Sequence, residues 1–272
     1  MGRLNQLLNQ LPSSHLLLNQ LPSSHSPRGG RKPPSRAALP AAVPVSVLAL
    51  ALTAVTTLVV TGATRAPDAR ALAAGTALDT PGLAHLVARC IALGGQFGLV
   101  GTVLILTAAA VAWHRRVWRP LLVPLAALAA LNAATLALKL ATGRTAPHAG
   151  IDLVFAGGWS YPSGHAVNAT VCLPLLVAVG YRNARSGADR REWSPPGPAM
   201  AATAVAVAAV GLATVVLGYH WASDVAAGWL LGLAIVLPAL RALRPSPASA
   251  ARTRVSARPP AQARTEPEPG RR

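Results

Sequence analysis

The chain has 272 residues, of which 52% are hydrophobic and only 12% are charged. A soluble domain usually carries about twice that charged fraction, so the composition argues against a soluble globular enzyme. The formal net charge is +17, but the basic residues concentrate in the tails and two short connectors, whereas nucleic-acid-binding proteins gather them on one folded face. No nucleic-acid partner is therefore expected. Cys90 and Cys172 lie in apolar stretches and predict no disulfide framework.

The first element in chain order is a polar N-terminal tail over residues 1–39. It is rich in Ser and Pro, and the octapeptide LNQLPSSH occupies residues 8–15 and recurs at 18–25. Two copies are too few for a solenoid, and no apolar periodicity supports a core. We expect a disordered tail here. We expect a second one, basic and rich in Arg, Pro and Ala, over residues 244–272.

Six apolar segments between the tails predict a membrane domain over residues 40–243. A helix needs about 20 apolar residues to cross the hydrocarbon core of a bilayer. The segments are residues 41–63, 91–113, 121–142, 164–181, 199–219 and 222–243. The predicted fold is therefore all-α, a six-helix transmembrane bundle. The fifth segment is mostly Ala, Val and Gly, and small residues let helices approach closely, so it is expected inside the bundle.

The distribution of Lys and Arg predicts the orientation of this bundle. Cytoplasmic loops of membrane proteins carry an excess of these residues. Twenty of them lie in the N-terminal tail, in the connectors after the second and fourth segments, and from residue 241 onward, whereas only four lie in the connectors on the other side. We expect both termini to be cytoplasmic, in a multi-pass protein of the cell membrane. Residues 64–90, 143–163 and 219–223 would then face outward.

Ionisable and polar residues cluster at three predicted outward ends. An ionisable group at membrane depth costs roughly 2.5–3.5 kcal/mol on insertion scales, which suggests a functional role. The clusters are Lys139 and Arg144 after the third segment, Ser163, Gly164 and His165 in the Pro-Ser-Gly-His that opens the fourth, and His220 and Asp224 between the fifth and sixth. Their convergence on one side predicts a single polar site.

Each cluster has a chemical use. His220 and Asp224 are four residues apart and share a helix face; a carboxylate that accepts one imidazole N–H leaves the other nitrogen free as a nucleophile. Ser163 and Gly164 offer a hydroxyl and free N–H groups at a helix start, which suits an anion. His165 in that first turn is a candidate to protonate a leaving oxygen.

Lys139 and Arg144 would supply positive charge to the oxygens of a phosphoryl group. Simpler interpretations exist for each cluster: a Lys at a span end often extends toward the interface, Pro-Ser-Gly starts many helices, and a His beside a Trp suits a membrane interface. The coincidence of all three favours the functional interpretation. The remaining polar residues of the connectors are expected to be solvated, namely Asp152, His85, His114 and His148.

Pro-Ser-Gly-His at 162–165, followed 55 residues later by His-x-x-x-Asp at 220–224, resembles the type 2 phosphatidic acid phosphatase (PAP2) superfamily, in its membrane lipid phosphatase branch. The resemblance implies a six-helix membrane fold and metal-independent hydrolysis of a lipid phosphate or diphosphate, with no cofactor. It also implies these roles: His220 forms a phosphohistidine, Asp224 orients it, His165 is the general acid, and Lys139, Ser163 and Gly164 hold the phosphoryl oxygens.

The chain departs from the family pattern at two positions. The family has Arg where this chain has Ala146 and again where it has Thr214, and Arg144 is a candidate replacement for the first. These changes leave three alternatives open: a phosphotransferase on the same scaffold, a non-catalytic binder of an anionic lipid, and a metallohydrolase using His165, His220 and Asp224 as ligands. The head group, the lipid tail and the oligomeric state stay open as well.

Overall fold

The computed structural model describes residues 45–184 and 197–244, and within them the prediction of an all-α fold is confirmed. The N-terminal tail and residues 245–272 of the C-terminal tail lie outside the described residues. The α-helices are α1 Val45–Val60, α2 Arg65–Thr76, α3 Leu83–Leu93, α4 Thr102–Arg115, α5 Arg119–Thr142, α6 Gly164–Ala184, α7 Gly197–Val216 and α8 Ala222–Leu243. A π-helical turn, Phe97–Gly101, leads into α4, and a 3₁₀ turn, Pro147–Ala149, follows α5.

Five helices of the described chain are long and apolar enough to cross a membrane: α4 with its π turn, α5, α6, α7 and α8. The pair α1 and α2, bent by 92°, makes a sixth when it is counted as one broken span. The chain is therefore a multi-pass membrane protein with five or six spans. The bend lies at residues 61–64, between α1 and α2. Gly62 there adopts a positive φ of 78°, which glycine tolerates without strain.

The second span begins later than the sequence predicted, at Phe97 instead of residue 91. The apolar run before it forms the separate helix α3, which contacts α7. Residues 94–96 break the helix because Gly95 lies against the backbone of α6. A Cβ at Gly95 would meet the carbonyl oxygen of His165 at 2.6 Å. The side-chain amide of Asn168 donates a hydrogen bond to the Gly95 carbonyl oxygen at 3.0 Å, which holds residues 94–96 against α6.

Helix α6 is the central helix of the bundle and contacts α4, α5, α7 and α8. Its residues Val167, Val171, Leu175 and Val179 are spaced one turn apart and fully buried. The fifth apolar segment, α7, packs against α2, α3 and α6, but it also has an exposed face on which Val205 is 70% exposed. Small residues do not by themselves bury a helix, since lipid solvates an apolar surface as well as protein does.

Two glycines of α8, one turn apart, set the distance between α8 and α6. A Cβ at Gly228 would lie 2.8 Å from the Cβ of Ala166, and one at Gly232 would lie 2.5 Å from the Cβ of Thr170. A Gly-x-x-x-Gly spacing of this kind lets helix backbones approach closely in membranes. The close approach brings the N-terminal ends of α6 and α8 together.

Candidate active site

The three polar clusters of the sequence meet at one end of the bundle. The imidazole rings of His165 and His220 have centroids 5.8 Å apart, with an interplanar angle of 66°. They border a cleft of about 290 Å³ whose wall also includes Lys139 and Gly164. Residues of the helix break and neighbouring turns complete it, namely Gly95, Gln96, Phe97, Trp159 and Asn168.

The start of α6 explains the place of His165 in the cleft. Ser163 precedes the helix, is fully buried, and its hydroxyl accepts a hydrogen bond from Ala166 N at 3.3 Å, as helix-capping serines do. The Ser163 N–H donates to the carbonyl oxygen of Asp224 at 2.9 Å. This bond joins the start of α6 to the start of α8. It thereby fixes His165 relative to the turn that carries His220.

His220 and Asp224 are close, but they are not in direct hydrogen-bond contact. His220 Nδ1 lies 3.7 Å from Asp224 Oδ2. The hydroxyl of Ser160 lies beside both: Ser160 Oγ donates to Asp224 Oδ2 at 2.5 Å and is 3.4 Å from His220 Nδ1. Asp224 Oδ2 also accepts the Trp221 N–H at 3.2 Å, which caps the start of α8. The direct imidazole–carboxylate bond predicted from the sequence is therefore absent between these two residues.

Arg144 lies behind this turn and is completely buried. Its guanidinium donates to both carboxylate oxygens of Asp152, at 2.8 and 2.7 Å, and to Asp68 and Asp224, each at 2.7 Å. The Ser223 hydroxyl accepts a further bond at 2.7 Å. These contacts use all five N–H donors of a guanidinium. We call these five residues the arginine cluster.

The arginine cluster corrects two expectations from the sequence. Arg144 does not line the cleft and has no N–H left for a phosphoryl oxygen, so in this structure it does not replace the family arginine missing at Ala146. Asp152 is not solvated, because its side chain is only 12% exposed and is paired with Arg144. Two partners of Arg144, Asp68 and Asp224, are 76 and 80 residues away in sequence, whereas Asp152 is only eight residues away.

Lys139 takes a different position, at the edge of the cleft. Its ammonium group donates to the carbonyl oxygens of Trp159 and of Pro162, the latter at 3.2 Å. These carbonyls belong to the segment that leads into Ser163. The contacts hold a positive charge next to the two imidazoles, where an anionic substrate group would be attracted.

Tyr161 supports the same segment from the other side. It is completely buried, and its hydroxyl pairs with the Thr56 hydroxyl of α1 at 2.7 Å. Burial raises the pKa of Tyr161 to about 12, although the hydrogen bond with Thr56 opposes this shift. The phenol therefore stays neutral at physiological pH. The peptide bond between Tyr161 and Pro162 is cis.

Thr214, which stands at the second departure from the family pattern, is buried and uncharged. Its hydroxyl donates to the Gly211 carbonyl oxygen at 2.7 Å, and its own carbonyl oxygen accepts the N–H groups of Tyr219 and His220. Thr214 thus shapes the turn before His220. Among the described residues that line the cleft, Lys139 is the only Lys or Arg.

Several residues of the site region were not predicted from the sequence. Asp68 and Ser223 complete the arginine cluster, Gln96 and Asn168 line the cleft, and Ser160 lies beside Asp224 and His220. The sequence does single out Asp68 as a candidate, because it is one of only eight acidic residues in the chain. The others are neutral polar residues of common types. The metallohydrolase alternative gains no support, because residues 45–184 and 197–244 contain no group of three side chains suited to hold a metal.

Comparisons with known proteins agree with the motifs. The family model of the PAP2 superfamily matches residues 120–246. The fold is similar to a solved structure from Bacillus subtilis, described as the first transmembrane PAP2 type phosphatidylglycerolphosphate phosphatase. The two share 20% sequence identity, with a TM-score of 0.60 over 72% of this chain and 93% of that one. No curated protein matches the chain.

The structural match establishes a shared fold, and the family match covers the region that contains all three clusters. Both the Pro-Ser-Gly-His and the His-x-x-x-Asp motifs fall within residues 120–246. The predicted enzyme class, a phosphoric ester hydrolase, is supported by this family. Through residues 120–246, the chain is similar to the PAP2 superfamily.

Proposed function

We propose that the protein is a metal-independent phosphatase that removes the phosphoryl group of a lipid phosphate or lipid diphosphate at the outer face of the cell membrane. The supporting observation is the pair of imidazoles, His165 and His220, beside Lys139 in one cleft at the ends of apolar helices. The Bacillus subtilis neighbour is described as a phosphatidylglycerolphosphate phosphatase, which favours a phospholipid monoester among the candidate substrates.

The first step transfers the phosphoryl group to the enzyme. The lone pair of His220 Nε2 attacks phosphorus and forms a P–N bond while the P–O bond to the lipid breaks, and the electron pair of that bond stays on the leaving oxygen. Protonated His165 donates its proton to this oxygen as general acid. Lys139 and the N–H groups at the start of α6, including that of Gly164, stabilise the charge on the phosphoryl oxygens. The Ser163 hydroxyl is proposed to donate a further hydrogen bond to a phosphoryl oxygen.

The second step releases inorganic phosphate. A water molecule attacks phosphorus, and His165, now neutral, accepts its proton. The P–N bond breaks and returns its electron pair to His220 Nε2. His165 is again protonated, so the enzyme is ready for another substrate. No metal or cofactor has a role in this sequence.

The lipid tails would remain in the bilayer while the head group enters the cleft. The cleft lies where α5 ends and where α6 and α8 begin, at one end of membrane-spanning helices. The excess of Lys and Arg in the tails and in two connectors favours cytoplasmic termini. That orientation would place the cleft on the outer side.

The first experiment compares His220→Ala and His165→Ala with the unaltered protein on a panel of lipid phosphates and diphosphates, with and without a chelator. We expect phosphate release to fall by about 10⁴-fold or more for His220→Ala, because the nucleophile is lost, and no effect of the chelator. His148→Ala is the matched control, since His148 is exposed in the same connector as Trp159. Full activity of either cleft variant would refute the mechanism.

A non-catalytic lipid binder is the second candidate, favoured by the saturation of Arg144 and the absence of charge at Ala146 and Thr214. Loss of one charge-assisted contact in a dry site costs about 10²–10³ in rate, so two missing arginines would leave a slow enzyme. A binder would retain lipid phosphate affinity without turnover, and vanadate would not trap at His220. A phosphotransferase would instead form a new ester when an alcohol is added.

A further inference from the structure

We propose that Ser160 is a positioning residue that links His220 to Asp224 through its hydroxyl group. This inference rests on the proposed role of His220 as the nucleophile. Neither the motifs nor the family pattern as found in this chain includes Ser160. It lies two residues before Pro162, outside α6, and only 2% of it is exposed.

The geometry places the serine hydroxyl nearer to each partner than they are to one another. Ser160 Oγ is 2.5 Å from Asp224 Oδ2 and 3.4 Å from His220 Nδ1, whereas the imidazole and the carboxylate are separated by 3.7 Å. All three residues are buried. A buried polar atom usually has a partner, and the Ser160 hydroxyl is the polar partner within hydrogen-bond distance of His220 Nδ1.

The carboxylate of Asp224 is already occupied on both oxygens. Oδ1 accepts from Arg144 Nη1 at 2.7 Å, and Oδ2 accepts from Ser160 and from the Trp221 N–H. Asp224 is itself completely buried. The carboxylate is therefore held in place without His220, and Ser160 is the group that connects it to the ring.

The hydroxyl fixes which nitrogen of His220 carries the proton. A serine has one O–H, and Ser160 donates it to Asp224; toward the imidazole it can only accept. His220 Nδ1 must then carry hydrogen for a bond to form, so Nε2 is left with its lone pair. That is the tautomer needed for attack on phosphorus. When the ring becomes cationic in the phosphohistidine, the charge is stabilised through the chain from Nδ1–H to Ser160 to Asp224.

The backbone keeps Ser160 in position relative to the arginine cluster. The Ser160 N–H donates to the carbonyl oxygen of Arg144 at 3.0 Å, while the side chain of Arg144 holds Asp224. Arg144 thus holds Ser160 through its backbone and the Asp224 carboxylate through its side chain. Small relative movements of the two are thereby restricted.

The test compares Ser160→Ala, Ser160→Thr and Ser223→Ala in the full-length protein in lipid vesicles. We expect Ser160→Ala to lower kcat by about 10- to 100-fold, the range for one hydrogen bond to a charged group, with KM within about twofold. The acid limb of the kcat/KM pH profile should move to lower pH, because the imidazolium loses its acceptor. Ser160→Thr keeps the hydroxyl and should restore both. Ser223→Ala removes another hydroxyl near Asp224 and should not move the limb.

An unchanged kcat and acid limb in Ser160→Ala would overturn the proposal, since the carboxylate would then serve His220 directly. A second measurement does not require turnover: nitrogen-15 NMR of labelled histidines, with His220 assigned by comparison with His220→Ala. We expect an Nδ1–H tautomer in the unaltered protein and its loss in Ser160→Ala. An Nε2–H tautomer in the unaltered protein would refute the role of Ser160, whereas an Nδ1–H ring without phosphate release would refute only the proposed function.

Discussion

Two polar regions lie next to each other at one end of this bundle, and they differ in how fully their groups are paired. In the arginine cluster, every N–H of Arg144 has a partner, and Arg144 and Asp224 have no exposed side-chain surface. In the cleft, His165 and Lys139 are partly exposed and face an opening. A buried ion pair that loses one partner is strongly destabilised, because the remaining charge is left uncompensated. Polar groups that face a cleft are free to bind and react.

Asp224 belongs to both regions, which shows how one supports the other. One carboxylate oxygen accepts from Arg144, and the second lies toward Ser160 and His220. Asp224 is therefore the residue through which the arginine cluster contacts the residues at the cleft. Variants on the two sides should separate folding from catalysis, and the following predictions test that separation.

The largest effect is expected for Arg144→Met, which removes the common partner of three carboxylates, two of them buried. Breaking a buried ion pair by deleting one partner typically costs about 3–5 kcal/mol, and here three pairs are lost together. We expect the thermal unfolding midpoint in detergent to fall sharply, with loss of activity in parallel. Arg70→Met is the control, because Arg70 is exposed on α2 near Asp68 and should leave the midpoint unchanged. A stable Arg144→Met protein would show that the cluster does not stabilise the fold.

The arginine cluster also shows where sequence information ends. The apolar lengths predicted α5 and α8 well, at 121–142 against Arg119–Thr142 and 222–243 against Ala222–Leu243, because burial in lipid requires a fixed length of apolar chain. The partner of Arg144 in α2 is 76 residues away. No feature of the local sequence marks such a pair. The sequence instead predicts that Arg144 contacts the substrate, because Lys139 and Ala146 are close to it in the chain.

The start of the second span illustrates another limit. Residues 91–96 carry no charge that would mark the boundary of the span. The helix breaks there, where Gly95 lies against the backbone of His165 in α6. The motif residues of α6 and α8 were easier to place together, since polar groups at span ends share one membrane surface. Their catalytic roles stay predictions.

On the cleft side, Lys139→Ala should separate activity from stability. Removal of one charged group that stabilises a transition state lowers kcat by about 10²–10³, and Lys139 is the only Lys or Arg among the described residues lining the cleft. The unfolding midpoint should fall far less than in Arg144→Met. Arg119→Ala, which removes an exposed cation at the other end of α5, is the matched control for charge. A normal kcat with a large loss of stability would assign Lys139 to the structural region instead.

The smallest effect is expected for the exposed pair of His85 and Asp79, which belongs to neither region. His85 Nδ1 lies 2.9 Å from Asp79 Oδ1, but the His85 side chain is 42% exposed. Surface ion pairs contribute about 0–1 kcal/mol, because water and salt screen them. His85→Ala should therefore leave both the unfolding midpoint and kcat within about the error of each measurement. A loss of activity would mean that the start of α3 contributes to the cleft, and the separation into a structural and a reactive region would need a third member. An unchanged protein would agree with the small contribution expected of an ion pair that water and salt screen.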